Sequence, residues 1–183
     1  MKELSLNILD IAQNSVKAGA TLVEIQLTET AETLTIRIVD NGCGMTAAQV
    51  ESVMDPFFTT RTTRSVGLGV PLLKLAAEQT GGSVEIASSA EAADHGTAVT
   101  ALFYKNHIDF TPLGDIISTV TALIQGAPGI DWRFVHSRGG DAVTLDTREL
   151  RAVLGDVPLD QYDVMQWIGD YLREGYEALP ACE

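Results

Sequence analysis

Residues 34–44 read LTIRIVDNGCG, an alternating apolar segment that runs directly into a loop with two glycines. The alternation of apolar and polar residues predicts a strand with one buried face. The strand ends at Asp40, and Gly42 and Gly44 then allow backbone to approach a neighbouring group closely. A carboxylate in this position can accept a hydrogen bond from the exocyclic amine of adenine. Because the same pattern is common turn chemistry, it needs support from the rest of the chain.

The N-terminal segment supplies a possible metal ligand. Apolar residues recur at helical spacing over residues 4–18, and Gly19 stands where a C-terminal glycine cap belongs. The side-chain oxygen of Asn14 on this helix suits Mg²⁺, which takes oxygen donors and keeps water and phosphate oxygens in its shell. Asp10 and Lys17 lie one turn before and after it on the same face. The alternative is that Asn14 is an ordinary hydrogen-bonded polar residue.

Two further elements favour a phosphate ligand. Residues 67–70, GLGV, are predicted to open a helix whose free N–H groups would face phosphate. The surrounding residues 56–77 carry three cationic side chains and no acid, although the whole chain has a formal net charge of −13. A short cationic stretch of this kind favours a small multivalent anion over a polymer. Farther along, Thr97 opens a strand after Gly96, and its hydroxyl can reach a bound base directly or through water.

The element order predicts the fold class. Helices and strands follow in the order α-β-β-α-α-β-β up to about residue 104, which indicates an α+β fold with a mostly antiparallel sheet and helices on one face. The pattern changes after Lys105. The elements expected there are a helix, a hairpin and two more helices, over residues 113–124, 130–146, 147–154 and 160–176. We therefore predict an ATP-binding domain over residues 1–106 and a small C-terminal α/β extension of unknown role over residues 107–183.

Composition narrows the class of partner and the compartment. The acidic surface disfavours general binding to nucleic acid or anionic membranes. The N-terminus has no apolar signal-peptide core, and no apolar run is long enough to span a bilayer, so we expect a cytoplasmic protein. Cys43 and Cys182 are too few for a disulfide framework. Cys43 lies beside the expected adenine position, where a redox role and a simple filler role both stay open.

Taken together, these motifs resemble the GHKL superfamily, which includes gyrase, heat-shock chaperones, histidine kinases and mismatch-repair ATPases of the MutL type. Residues 14–17 look like the N box, residues 40–44 and 67–70 like the two glycine boxes, and residues 55–61 like the phenylalanine-box segment of histidine kinases. Gly96 and Thr97 look like the terminal box. The resemblance covers residues 4 to about 104 and implies the Bergerat fold with ATP and Mg²⁺ as ligands.

The resemblance also implies roles for individual residues. Asn14 would hold Mg²⁺, Asp40 would read adenine, and residues 55–66 would form a lid in which Arg61 and Arg64 are candidates for the γ-phosphate. The full set of implied nucleotide-binding residues is Asn14, Lys17, Asp40, Gly42, Gly44, Met45, Arg61, Arg64, Gly67, Leu68, Gly69, Val70 and Thr97.

Asp10 decides the expected activity. In the MutL, gyrase and anti-sigma kinase branches a glutamate occupies this position and acts as general base, whereas aspartate is one methylene shorter. The alternative is that Asp10 only pairs with Lys17. The three histidines follow the N box and both glycine boxes, and no phosphoacceptor helix precedes the N box, so self-phosphorylation on histidine is not expected.

We expect a regulatory protein that binds Mg·ATP and either hydrolyses it slowly or transfers its γ-phosphoryl group to an unidentified partner protein. The alternative is a non-catalytic nucleotide sensor that works by partner binding alone. A homodimer is left open.

Overall fold

The structure is a computed structural model, and it describes residues 3–55 and 68–181. Six helices are present in these ranges: α1 (Leu4–Lys17), α2 (Ala47–Met54), α3 (Gly69–Gln79), α4 (Ile116–Gly126), α5 (Thr147–Leu154) and α6 (Tyr162–Ala178). The strands are β1 (Leu22–Glu29), β2 (Thr33–Asp40), β3 (Ser83–Ser89), β4 (Gly96–Tyr104), β5 (Asp131–Arg138) and β6 (Asp141–Asp146).

All six strands form one mixed sheet in the order β3-β4-β2-β1-β5-β6. Every neighbouring pair is antiparallel except β1 and β5, which run parallel with Leu22 opposite Asp131 and Glu29 opposite Arg138. The predicted α+β class with a mostly antiparallel sheet is confirmed. The C-terminal hairpin β5–β6 extends the same sheet beside β1, while the division at residues 106 and 107 stays a prediction.

One face of the sheet carries the core. Burial alternates along the strands, so that the buried residues of β1 and β2 are Val23, Ile25, Leu27, Leu34, Ile36 and Ile38. Helix α1 contacts α3 and α4, and α4 in turn contacts α6. A period of two in the strands and of 3.6 in the helices is what allows these apolar faces to meet.

Local signals explain most of the helix boundaries. Helix α1 ends before Gly19, whose φ of +75° suits glycine, and α2 begins with the predicted capping box between Thr46 and Gln49. The expected start of α4 at residue 113 is wrong by three residues. Its N-cap is Asp115, whose side chain accepts a hydrogen bond from the Ser118 N–H at 2.9 Å. The apolar periodicity that predicted this helix continues past its cap and therefore does not mark the first turn.

Within residues 3–55 and 68–181, no helix is both long enough and apolar enough to cross a bilayer.

Candidate nucleotide site

A cavity of about 640 Å³ opens beside α1, α2 and the start of α3, over the ends of β2 and β4. This volume is typical of a small-molecule site. Its floor is apolar, formed by Ile38, Ile86 and Val99 of the sheet, and polar side chains complete the lining. The predicted site residues that line it are Asn14, Lys17, Asp40, Gly44, Met45, Val70 and Thr97.

The other predicted residues lie elsewhere. Asp10, Gly42, Leu68 and Gly69 are described but do not line this cavity. The remaining predicted residues, Arg61, Arg64 and Gly67, and all of the expected lid except Asp55, lie outside the described residues.

Asp40 is held in place from two sides. Ser15 donates its hydroxyl to one carboxylate oxygen at 2.6 Å, and the backbone N–H of Gly42 donates to the other at 2.9 Å. In the β2–β4 register Asp40 lies directly opposite Thr97, so both residues belong to the same end of the cavity. Sequence reasoning missed Ser15, which is only 3% exposed. The available signal was a hydroxyl next to Asn14 on the inward face of α1.

Gly44 is required by both its backbone conformation and its surroundings. Its φ is +69°, and a Cβ at this position would stand 1.7 Å from the carbonyl oxygen of Ser89. An L-residue would therefore combine left-handed strain with a severe clash. The glycine loop can lie this close to the β3–β4 hairpin only because it has no side chain here.

Hydrogen bonds fasten the same loop to the hairpin. The Met45 N–H donates to the Ser88 hydroxyl at 2.8 Å, and Ser88 in turn lies 2.8 Å from the Thr97 hydroxyl. His95 donates from Nδ1 to the carbonyl oxygen of Gly42 at 2.6 Å. Ser88 and His95 were not predicted, because they follow from the pairing of β3 with β4 and not from any motif. The result is a preformed cavity wall.

Asp10 lies at the contact between α1 and the start of α3. A Cβ added to Gly69 would stand 2.9 Å from the Cβ of Asp10, so the absence of a side chain brings the two helices together at this point. The N–H groups of the first turn of α3 have no partner within the helix. Asp10 is therefore placed beside a helix N-terminus, where an anion is stabilised.

Several polar groups here are left without protein partners. In the described part of the chain, neither the Asp10 carboxylate nor the Asn14 amide makes a hydrogen bond or an ion pair. The expected alternative pairing of Asp10 with Lys17 is not seen within 4.0 Å among these residues. A half-buried amide beside a free lysine and a free carboxylate is a donor set that suits Mg²⁺ and phosphate, because Mg²⁺ keeps water and phosphate oxygens around a few protein ligands.

Cys43 is exposed at the rim of this cavity. Its thiol donates a weak hydrogen bond to the carbonyl oxygen of Gly44 at 3.6 Å.

A second polar cluster lies where the last strands meet the N-terminal ones. Glu29 at the end of β1 contacts Lys105 at 2.7 Å, Arg138 at 2.8 Å and the fully buried His136 at 3.0 Å. Burial alone would raise the pKa of Glu29, but hydrogen bonds from Lys105 and Arg138 outweigh it and lower that pKa to about 2. His136 also lies 2.8 Å from the Tyr176 hydroxyl, and burial lowers its pKa and raises that of Tyr176. These groups join β1, β5 and α6.

Comparison with known proteins shows which family the chain belongs to. The model of the family described as histidine kinase-, DNA gyrase B- and HSP90-like ATPase matches residues 2–107. Among curated relatives, the sensor histidine kinase ZraS of Escherichia coli O157:H7 is 29% identical over 83 residues, which is 44% of this chain and 18% of that protein. Sporulation kinase B of Bacillus subtilis is 28% identical over 100 residues, which is 55% of this chain and 22% of that protein. The matched part of the chain thus spans only about a fifth of these relatives.

A solved structure agrees over nearly the whole chain. The Aquifex aeolicus MutL ATPase domain complexed with ADP superposes with a TM-score of 0.52 and 14% identity, covering 95% of this chain and 70% of that one. At this identity the likeness concerns the fold alone. Because the family model covers more than half of the sequence, this chain belongs to the histidine kinase-, DNA gyrase B- and HSP90-like ATPase family.

Proposed function

We propose that this chain binds Mg·ATP in the 640 Å³ cavity and acts as a regulatory protein that hydrolyses ATP slowly or transfers its γ-phosphoryl group to a partner protein. Family membership supports a nucleotide ligand. The observation that carries the catalytic part is the unpaired Asp10 carboxylate beside the start of α3. This function uses the cytoplasmic ATP pool, so the proposal includes a cytoplasmic location.

The adenine end of the proposed site is built on Asp40. Ser15 and Gly42 each occupy one lone pair of its carboxylate, and the remaining lone pairs can accept the exocyclic amine of the base. The Thr97 hydroxyl, oriented by Ser88, would assist at the base. The apolar floor would receive the flat face of the purine.

The phosphate end is built on α1 and α3. The side-chain oxygen of Asn14 would hold Mg²⁺, which supplies charge neutralisation of the phosphates when bound. Lys17 and the N–H groups at Leu68, Gly69 and Val70 would bind phosphate oxygens. Gly67, Arg61 and Arg64 are further candidates for this end, as expected from the sequence.

Asp10 would act as general base. Its carboxylate would take a proton from a water molecule or from a partner hydroxyl in line with the γ-phosphorus. The aspartate side chain is one methylene shorter than glutamate, so an intervening water can relay the proton. A general base typically contributes about 10²–10⁴-fold to a rate. If Asp10 has no such role, the chain is a nucleotide sensor that acts through partner binding.

The test is phosphate release together with calorimetric ATP binding for the wild type, Asp10→Asn and Asp10→Glu. We expect Asp10→Asn to lose nearly all turnover at almost unchanged ATP affinity, and Asp10→Glu to keep or raise the rate. Glu85→Gln, which neutralises an exposed acid on β3, is the matched control. Wild-type turnover equal to that of Asp10→Asn, measured with and without candidate acceptor proteins, would leave only the sensor function. Sedimentation velocity of the chain with and without ATP tests whether it forms a homodimer.

A further inference from the structure

A second cavity, of about 290 Å³, lies at the β6 end of the sheet, between α5, α6 and the β5–β6 hairpin. It shares no residue with the nucleotide cavity. We call it the β6 groove and define it by the apolar and aromatic residues that line it, namely Phe134, Val135, Leu145, Leu150, Trp167 and Tyr171. Its volume is at the lower limit for a small-molecule site and is suited to one or two side chains.

Two aromatic rings form the lip of the β6 groove. Trp167 and Tyr171 are 50% and 40% exposed, and their rings stack with a centroid separation of 5.1 Å and an interplanar angle of 15°. They are one helical turn apart on α6, so the stack is fixed by the helix. A large aromatic surface that is rigid and half exposed is typical of binding sites, and an indole face attracts cations.

The groove runs along an unpaired strand edge. Among the described strands β6 is the last of the sheet, and it pairs only with β5. In the described ranges no other segment forms a backbone hydrogen bond with residues 141–146. An edge of this kind can accept an extended peptide as an additional strand.

The charges around the groove are unbalanced. Each cationic side chain nearby already contacts an acid: Arg133 contacts Glu24, Arg148 contacts Asp146, and Arg173 contacts Asp170. In contrast, the exposed acids Glu149, Asp163 and Glu174 have no ion-pair partner in the part of the chain that the structure describes. Asp163 and Glu174 lie one turn before and two turns after Trp167 on the same side of α6. The surface therefore complements a cation.

We propose that the β6 groove binds an extended segment of a partner protein in which an arginine or lysine lies two residues from an aliphatic residue. Residues two apart in a strand share a face. The aliphatic side chain would fill the cavity, while the cation would lie over Trp167 in the negative potential of Asp163 and Glu174. The segment's backbone would pair with β6. The inference does not depend on a nucleotide being bound.

The test uses a short fluorescein-labelled peptide in which arginine and leucine alternate with threonine, so that all arginines and leucines share one face. Binding to the full chain is followed by fluorescence anisotropy. One comparison peptide has glutamate in place of arginine. Another has proline in place of the central threonines and so lacks the backbone N–H donors of those positions. We expect the arginine peptide to bind and both comparison peptides to bind at least about tenfold more weakly.

Variants locate the binding surface. Binding of the arginine peptide should be about tenfold weaker in Trp167→Ala. It should be weakened to the same extent in the double variant Asp163→Asn with Glu174→Gln. The controls are Tyr162→Ala, an exposed aromatic on the same helix, and the pair Glu32→Gln with Glu85→Gln, which removes the same charge elsewhere. Thermal melts check that every variant is folded.

Four outcomes would overturn the proposal, and three of them concern peptide affinity. They are equal affinity for the arginine and glutamate peptides, unchanged affinity in Trp167→Ala, and equal losses in the test and control pairs. A dimer in sedimentation velocity that Trp167→Ala dissociates would assign the groove to a second copy of this chain and would also overturn it.

Discussion

Replacing Asp40 by asparagine tests how the proposed site reads its base. In the structure the two carboxylate oxygens of Asp40 face two donors, the Ser15 hydroxyl at 2.6 Å and the Gly42 N–H at 2.9 Å. An N–H can only donate, whereas a hydroxyl can also accept. The asparagine will therefore turn its oxygen to Gly42 and its amide nitrogen to Ser15, so that both contacts are kept. We expect the free energy of unfolding to change by less than about 1 kcal/mol.

The effect on ATP binding depends on which oxygen accepts the adenine amine. If the acceptor is the oxygen on the Ser15 side, the asparagine N–H group faces the adenine amine, and both groups are donors. The loss of binding free energy is then near the upper end of the range of about 1–3 kcal/mol, which is about 150-fold in affinity. If the acceptor is the oxygen on the Gly42 side, only the negative charge is removed, and the loss of binding free energy is near the lower end of this range, about fivefold in affinity. Ser15→Ala keeps the Asp40 carboxylate and removes one of the two hydrogen bonds that it accepts, so it should lower ATP affinity less than Asp40→Asn does.

Isothermal titration calorimetry with ATP and GTP separates base reading from general damage. Guanine presents a carbonyl oxygen where adenine presents its amine. Asp40→Asn should therefore lower the affinity for ATP and reduce the ratio of ATP affinity to GTP affinity. Equal losses for both nucleotides would show that Asp40 acts on something other than the base. Unchanged ATP affinity in a folded Asp40→Asn variant would refute adenine recognition at this residue.

Three further changes test other parts of the structure. Asn14→Ala should weaken ATP binding in Mg²⁺ and leave the residual binding in chelator unchanged; equal losses in the two calorimetric titrations would contradict a metal ligand. Gly44→Ala should lower the melting temperature and ATP affinity well beyond Gly19→Ala, because both have positive φ but only Gly44 has a carbonyl 1.7 Å from the added Cβ; equal effects would exclude the close contact. Since the folded pKa of Glu29 is lowered from 4.5 to about 2, its contribution to stability is complete above pH 4.5 and is lost as pH falls towards 2. Denaturant titrations should show that Glu29→Gln has a lower free energy of unfolding than the wild type at neutral pH. As the pH falls, the wild type should lose up to about 3 kcal/mol that the variant does not lose. Free energies of unfolding that fall in parallel with pH in the two proteins would contradict the shifted pKa.

Local patterns predicted most of the fold because they follow from backbone geometry. The alternation in residues 34–39 and the capping box at Thr46 each determine structure within a few residues, and both are found where expected. The parallel pairing of β1 with β5 was not predicted, because nothing in either segment alone specifies a partner so far away in the chain.

In the candidate site, too, residues in local motifs were identified from sequence, and residues that depend on long-range contacts were not. Asn14, Asp40 and Thr97 belong to motifs and were identified from sequence, and the structure places all three on one cavity. Ser15 and His95 were missed because their importance depends on which group lies opposite them, the Asp40 carboxylate and the Gly42 carbonyl. His136 was also passed over, since its contacts with Glu29 and Tyr176 exist only once β5 lies beside β1.

The parallel β1–β5 pair also has a consequence for the order of events during synthesis. β1 can pair with β2 as soon as both have left the ribosome, but its other edge is paired only after β5, more than a hundred residues later, has been made. Until then the nascent chain carries an open strand edge next to the apolar side chains of Val23, Ile25 and Leu27. Contacts between such distant segments slow folding, and an exposed edge favours aggregation. The nascent chain is therefore most vulnerable between completion of β4 and release of β5, which is the interval in which a chaperone would be needed.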